Sequence, residues 1–277
     1  MSAVFRSFDK KNKMSLKQRR SQFFHSIADR FQSYYRDSIR FHDFNELSSR
    51  NRLKNLLILP TEAFGTLLFD YCEPNFDILT YSYNDSTHEA AKSFAYKDST
   101  IGHLAFKTEF YGESLKCIVA DIHKRPYDQF LVLNGDVMVS WRDLNTCFSM
   151  AAMHSLDVFQ PSMSRDSFYT YNHLLNKPGY FLEKVDFTEV MMLGLSKRLL
   201  KEFAALDVFS ISGWGIDRLL LPKLIADHGF NPPSVIHACI AKHCKPVESG
   251  KIVFSNSKTA KEEYDDLDKL IKSNTIE

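Results

Sequence analysis

Residues 127–137 read Tyr-Asp-Gln-Phe-Leu-Val-Leu-Asn-Gly-Asp-Val (YDQFLVLNGDV). The run ending at Leu133 is short, apolar and not interrupted by alternating polar residues. That pattern predicts a strand buried on both faces, as in a parallel or mixed sheet covered by helices. It stops at once in Asn134-Gly135-Asp136, a polar acidic turn. In an open α/β sheet, ligands collect outside the carboxyl ends of the strands. A carboxylate placed there, Asp136, can hold a divalent cation, and the cation can hold a diphosphate. Gly135 would let the backbone approach a ligand closely. The same three residues also make an ordinary turn, so the triplet alone does not decide the chemistry.

The flanking sequence repeats the pattern. Upstream, Leu56–Leu59 is a buried-strand run that ends at Pro60, and Phe76–Tyr83 is a strand closed by Asn84-Asp85-Ser86. Residues 109–123 have helical spacing. Downstream come a helix over Trp141–Ser155, a short strand over Asp157–Gln160 and an extended apolar stretch over Val185–Leu193. A helix follows over Ser196–Leu206, with Ser196 as a good N-cap, and another over Ile216–His228. Ser234–Ile240 is a strand that leads to His243. Strands alternating with helices predict one α/β domain over 51–250, with a mixed central sheet.

Two ends frame this domain. Residues 1–30 carry eight Lys/Arg against two Asp, and Phe23, Phe24, Ile27, Phe31 and Tyr34 recur at spacings of three and four around them. Residues 1–50 are therefore expected to form a basic amphipathic helical extension. It would either pack on the body or meet an anionic membrane or nucleic acid. Residues 251–277 read as a charged C-terminal helix and tail.

Composition sets the outer limits. The 277 residues are 44% hydrophobic and 25% charged, with 35 Lys/Arg against 34 Asp/Glu, which excludes a disordered chain. The net charge of +1 argues against a surface that is nucleic-acid binding throughout. The five cysteines (Cys72, Cys117, Cys147, Cys239, Cys244) are odd in number and form no Cys-x-x-Cys pair, as expected of reduced thiols. No apolar stretch has a signal-peptide or membrane-spanning pattern, so a cytoplasmic location is expected, the host cytoplasm if the chain is phage-encoded.

Two further pieces carry chemistry. Gly213-Trp214-Gly215-Ile216-Asp217 puts a flat indole between two glycines, a surface on which a sugar ring can stack. Asp217 opens a helix, where it can be a cap or can take a proton from an attacking hydroxyl. His243, flanked by Lys242 and Lys245, could complete a cation site begun by Asp136.

The order and spacing of these pieces over about 55–246 resemble the GT-A type of nucleotide-sugar glycosyltransferase, a Rossmann-like α/β fold, and within it the uncharacterised DUF707 group. YDQFLVLNGDV is similar to that family's D-x-D element. Gln160-Pro161-Ser162 follows where relatives carry a similar step. Phe187–Met192, containing Glu189, resembles the acceptor-side acidic segment. GWGID resembles the W-G-x-[ED] element, and His243 the late histidine of the metal shell. The resemblance implies Mn²⁺ or Mg²⁺ held by Asp136 and His243, with the metal bridging the diphosphate of a nucleotide sugar, UDP-sugar favoured. It implies Asp217 as general base under inversion, Glu189 on sugar hydroxyls, and Trp214 with Gly215 lining the sugar. Pro60, Thr61, Tyr83 and Asp85 would meet the base and ribose, beside Asn134 and Gly135. The first position of the triplet is Asn134 rather than Asp, a neutral and weaker ligand for a hard cation. The implied acceptor is a glycan or lipid-linked saccharide. The alternatives are an enzyme acting on hydroxymethylated bases of phage DNA, a non-catalytic nucleotide- or glycan-binding module, and a structural protein in which NGD is only a turn.

Overall fold

The computed structural model describes residues 54–61, 67–68, 73–92, 100–206, 208–246 and 249–273. The expected basic extension over 1–50 lies outside the described residues.

The sheet contains ten strands. They are β1 (Asn55–Pro60), β2 (Leu67–Leu68), β3 (Asp77–Ser82), β4 (Thr100–Ala105), β5 (Gln129–Leu133), β6 (Val137–Ser140), β7 (Val158–Met163), β8 (Leu182–Lys184), β9 (Met192–Ser196) and β10 (Ser234–His243). Their order is β2-β6-β10-β7-β9-β5-β1-β3-β4, with β8 added on β10. β1, β3, β4 and β5 run parallel. β9 is antiparallel to both β5 and β7, so the sheet is mixed, as the sequence predicts. Strands β1 and β5 are buried along their whole length, which explains their unbroken apolar sequence.

Alternate residues of these strands feed two cores. Leu56, Ile58, Phe130 and Val132 face helices α2 (Tyr111–Ile122), α4 (Lys197–Ala205) and α5 (Leu221–His228). Leu57, Leu59, Leu131 and Leu133 face α3 (Trp141–Met153) through Leu144, Cys147 and Phe148. Each such fully buried side chain contributes about 1.5–3 kcal/mol of apolar transfer. The short helix α1 (Asp85–Ala91) starts in the Asn84 turn, where the Asn84 and Thr87 side chains cap each other's backbone N–H. Ser196 caps α4, its Oγ accepting from the Leu199 N–H.

Three expectations are corrected. The strand expected over Val185–Leu193 begins only at Met192. Of the residues before it, Glu189, Val190 and Met191 line the site described below without pairing in the sheet, whereas Asp186 is exposed and Val185 and Phe187 are half-buried. The strand expected over Asp157–Gln160 runs from Val158 to Met163, past Pro161. That proline is tolerated because its β10 partner, Ile236, sits at a register shift. His243 does not lie beyond its strand but is the last residue of β10.

The C-terminal segment forms helix α6 (Ala260–Lys272), with a capping box between Thr259 and Glu262. One face is charged and exposed. The other buries Leu267 and Glu263. Glu263 accepts backbone N–H bonds from Ile211 (3.0 Å) and Ser212 (2.9 Å) and a third bond from the Asn256 amide (2.8 Å). A buried carboxylate thus fixes the loop that carries Trp214. From the other side the loop leans on Gly112 at the start of α2. The Gly112 N–H donates to the Ile211 carbonyl at 2.9 Å. A Cβ at Gly112 would lie 2.0 Å from the Ser210 carbonyl oxygen and 2.5 Å from the Gly213 nitrogen.

Gly112→Ala must therefore push α2 and the 210–215 loop apart. We expect it to destabilise the fold by about 3 kcal/mol, at the upper end of overpacking costs, and to raise protease cleavage of the loop. Thermal unfolding with limited proteolysis checks this; an unchanged midpoint would show that the loop yields freely.

Candidate active site

The carboxyl ends of β5 and β10 and the start of β9 meet at one edge of the sheet, because β9 runs against β5. Leu133 pairs with Met192, and the Asn134 N–H donates to the Met191 carbonyl at 2.9 Å. A cavity of about 1040 Å³ opens there. Asn134, Asp136, Glu189, Trp214, Gly215, Asp217 and His243 all line it, so residues up to 109 positions apart in sequence converge. Phe110, Tyr111, Tyr171, Arg218, Lys261 and Tyr264 complete much of the wall.

The remaining sequence-derived candidates lie elsewhere. Gly135 sits in the turn between β5 and β6 and does not line the cavity. Pro60 ends β1. The buried Thr61 hydroxyl donates to the carbonyls of Thr87 (2.7 Å) and Tyr81 (3.3 Å). The Tyr83 N–H donates to Thr87 Oγ1 at 2.9 Å. Asp85 is exposed and pairs with Lys107 at 2.9 Å, whose hydrogen bond and charge hold its pKa below the usual range. These four side chains stand where β1 and β3 end, outside the cavity.

At the metal-like corner, His243 Nδ1 is 2.7 Å from the Phe168 carbonyl, so Nδ1 carries a proton and donates it there. Nε2 lies 3.2 Å from Asp136 Oδ2. In a neutral ring that nitrogen would present a lone pair to a carboxylate oxygen. A proton on Nε2 or a cation between the two atoms resolves the clash. Burial lowers the pKa of His243, but the hydrogen bond to Asp136, the bond to Phe168 and the charges of Asp136 and Glu189 outweigh it and raise the net value. The other Asp136 oxygen, Oδ1, and Asn134 Oδ1 are buried and find no hydrogen-bond partner among the described residues. Buried acceptors are rarely left so, and these two fit an electropositive ligand. Among the described residues no three His, Cys, Asp or Glu side chains are grouped to hold a metal. A pair of ligands with an amide oxygen is the donor set expected where substrate phosphates complete the shell.

Asp217 lies in the first turn of a π-helical segment over Ile216–Leu220, entered through Gly215 at φ 90°, a left-handed backbone that favours glycine. Burial raises its pKa to about 6, against the opposing pull of the Asp217 and Arg218 backbone N–H groups, the Arg218 charge and the Val190 backbone. Glu189 is 5% exposed, and its Oε2 lacks a partner among the described residues. Burial, then the Asp217 charge, raises its pKa to about 7, with His243 opposing. The Glu189 N–H donates to Gln160 Oε1 at 2.7 Å, so the Gln-Pro step reads as a positioning device for Glu189. Tyr111 is the wall residue that sequence reasoning missed most clearly. Its hydroxyl donates to the Val190 carbonyl at 2.7 Å, and burial together with Asp136 and Asp217 raises its pKa. Its only sequence signal was its place at a helix start.

No protein-family model and no curated protein sequence matches the chain. Solved structures do. The N-terminal part of S. aureus TarS (residues 1–349) in complex with UDP-GlcNAc superposes with a TM-score of 0.56 at 14% identity, covering 79% of this chain and 66% of that one. GalNAc-T7 with UDP, GalNAc and Mn²⁺ gives 0.54 at 9% identity, covering 80% and 48%. The fold is GT-A. The chain spans at most about two thirds of the length of these structures. No finding supports membership of the DUF707 group.

Glu189 supplies a pH test. Its folded pKa is raised, so the folded state keeps the proton longer than the unfolded chain does. Wild-type stability therefore falls as pH rises from about 4.5 through about 7. Glu189→Gln removes that loss, worth at most about 3 kcal/mol. We expect its midpoint to exceed wild type at pH 8 and to converge with it near pH 4. Calorimetry at the two pH values decides, and a constant offset would show that Glu189 does not titrate across this range.

Proposed function

We propose that the protein transfers a sugar from a nucleotide-sugar donor, a UDP-sugar, to the hydroxyl of an acceptor such as a glycan or lipid-linked saccharide. One observation carries this reading: Asp136, His243, Glu189, Asp217 and Trp214 converge on one cavity at the carboxyl edge of a GT-A sheet. The solved structures of this fold hold UDP-GlcNAc in TarS and UDP with Mn²⁺ in GalNAc-T7. Asp136 and His243, with the Asn134 amide oxygen, would hold Mn²⁺ or Mg²⁺. That ion would neutralise diphosphate charge.

The chain's own groups then divide the remaining work. Asp217, ionised above about pH 6, accepts the acceptor's hydroxyl proton on a carboxylate oxygen. Glu189, half-protonated near neutrality, can donate to or accept from a sugar hydroxyl. Trp214 offers its indole face. Its backbone is held by the Ser212 hydroxyl accepting its N–H at 3.1 Å and by Ser210 Oγ donating to its carbonyl at 3.0 Å. Tyr111, pinned on Val190, keeps that wall closed to water.

Two measurements test the reading. Saturating UDP with Mn²⁺ stabilises a protein that binds it by RT ln(1 + [L]/Kd), about 2.7 kcal/mol at a hundredfold excess over Kd. We expect a thermal shift with UDP plus Mn²⁺, a smaller one with UDP alone, and in Asp136→Ala no gain from Mn²⁺ beyond the shift that UDP alone gives. No shift with any nucleoside diphosphate sinks the proposal. In donor turnover, kcat/KM rises with pH through about 6 as Asp217 loses its proton. Asp217→Asn abolishes that limb and lowers kcat roughly 10²–10⁴-fold while leaving UDP binding intact. A variant that keeps wild-type turnover would remove Asp217 from the chemistry.

A further inference from the structure

We propose that Arg218 forms an anion site in the acceptor half of the cavity, so that the acceptor carries a phosphate or carboxylate close to the hydroxyl that receives the sugar. This rests on the glycosyltransferase reading and specifies its substrate class.

Arg218 follows Asp217 in the π-helical turn and lines the same cavity. Its guanidinium lies over two rings, 5.6 Å from the Tyr171 centroid and 5.2 Å from the Phe187 centroid. Those rings meet edge to face at 4.8 Å and 87°, and His173 packs edge-on against Phe187 at 4.8 Å. Arg218 Nη1 also donates to the Tyr171 hydroxyl at 3.4 Å. The side chain is thus stacked and oriented at an exposed position, and its charge acts on the Asp217 carboxyl beside it, although no carboxylate of the described residues lies within ion-pair distance. The other cationic side chains on the cavity wall are matched. Lys261 pairs with Asp265 at 2.5 Å, and His243 faces Asp136 at 3.2 Å.

An arginine held by aromatic faces has already given up much of its rotamer freedom, and its planar fork suits a two-oxygen anion. Cation–π contact leaves the N–H edge available for that anion. The rest of the wall bears Asp136, Glu189 and Asp217, which repel an anion. Arg218 therefore sets where a negative group can sit. That place adjoins the proposed base, Asp217, whose carboxyl feels the Arg218 charge. An acidic acceptor gains a charge-assisted pair of hydrogen bonds that a neutral acceptor cannot make.

The test uses the full chain saturated with UDP and Mn²⁺, titrated calorimetrically with glucose 6-phosphate, glucuronate and glucose. Wild type should bind at least one of the two charged sugars about tenfold or more tighter than glucose. Arg218→Gln should erase that preference while UDP affinity stays within about twofold. Arg218→Lys, which keeps the charge but not the fork, should fall between. Loss of UDP affinity in Arg218→Gln with charged-sugar binding unchanged would assign the arginine to the donor diphosphate and overturn the inference. So would equal binding of charged and neutral sugars by wild type, or binding of neither charged sugar. A wild type that takes no UDP fails the glycosyltransferase reading itself, and the inference with it.

Discussion

The reversal of β9 is the constraint on which the site depends. A strand that ran parallel to β5 and β7 would deliver its start to the far edge of the sheet. Running against both, β9 places Glu189, Val190 and Met191 beside Asn134 and Asp136. The pairing allows no slack. A Cβ at Gly194 would come within 2.4 Å of the Phe159 ring, so β7 and β9 touch at a residue with no side chain. The Asn134–Met191 hydrogen bond then fixes the acidic turn against the incoming segment. Cavity, metal-like corner and paired carboxylates are consequences of one strand direction.

Burial turns that geometry into chemistry. Glu189 and Asp217 line one cavity, and burial makes each carboxyl hold its proton to a higher pH than an exposed one does. Their environments separate them. Asp217 faces backbone N–H groups and the Arg218 charge at a helical start and ionises first, whereas Glu189 has an oxygen with no partner among the described residues and feels the charge of Asp217. Two carboxyls with separated pKa values are suited to different proton roles. Both lower stability as they ionise, so the folded state bears a cost for holding them ready.

Much of the sheet was legible because β1 and β5 are buried on both faces and so read as unbroken apolar runs. β4 was not legible, since only alternate residues approach burial and no apolar run marks it. β6 and β8, at four and three residues, are too short to show a period. The NGD and GWGID motifs and His243 stand out by their place at strand ends and at a helix start, and the resemblance gives them roles; they supply about a third of the residues that line the cavity. Pro60, Thr61, Tyr83 and Asp85 were placed by their position at strand ends. Position alone could not show that Thr61 spends its hydroxyl on backbone carbonyls or that Asp85 pairs with Lys107. Arg218, Tyr111 and Glu263 were invisible for a different reason. Arg218 acts with Tyr171 and Phe187, Tyr111 with Val190, and Glu263 with Ile211 and Ser212, partners far off in sequence that no local pattern encodes.

The grip of Glu263 on the Trp214 loop also orders events in time. During synthesis the chain emerges from its first residue onward, and structure forms as it appears. Every strand of the sheet has been made once His243 has emerged, whereas the carboxylate that holds the loop arrives 20 residues later. A nascent chain can therefore own a finished sheet and an unfinished cavity. The Trp214 loop gains its grip only after helix α6 has left the ribosome, so competence to bind follows completion of the sheet.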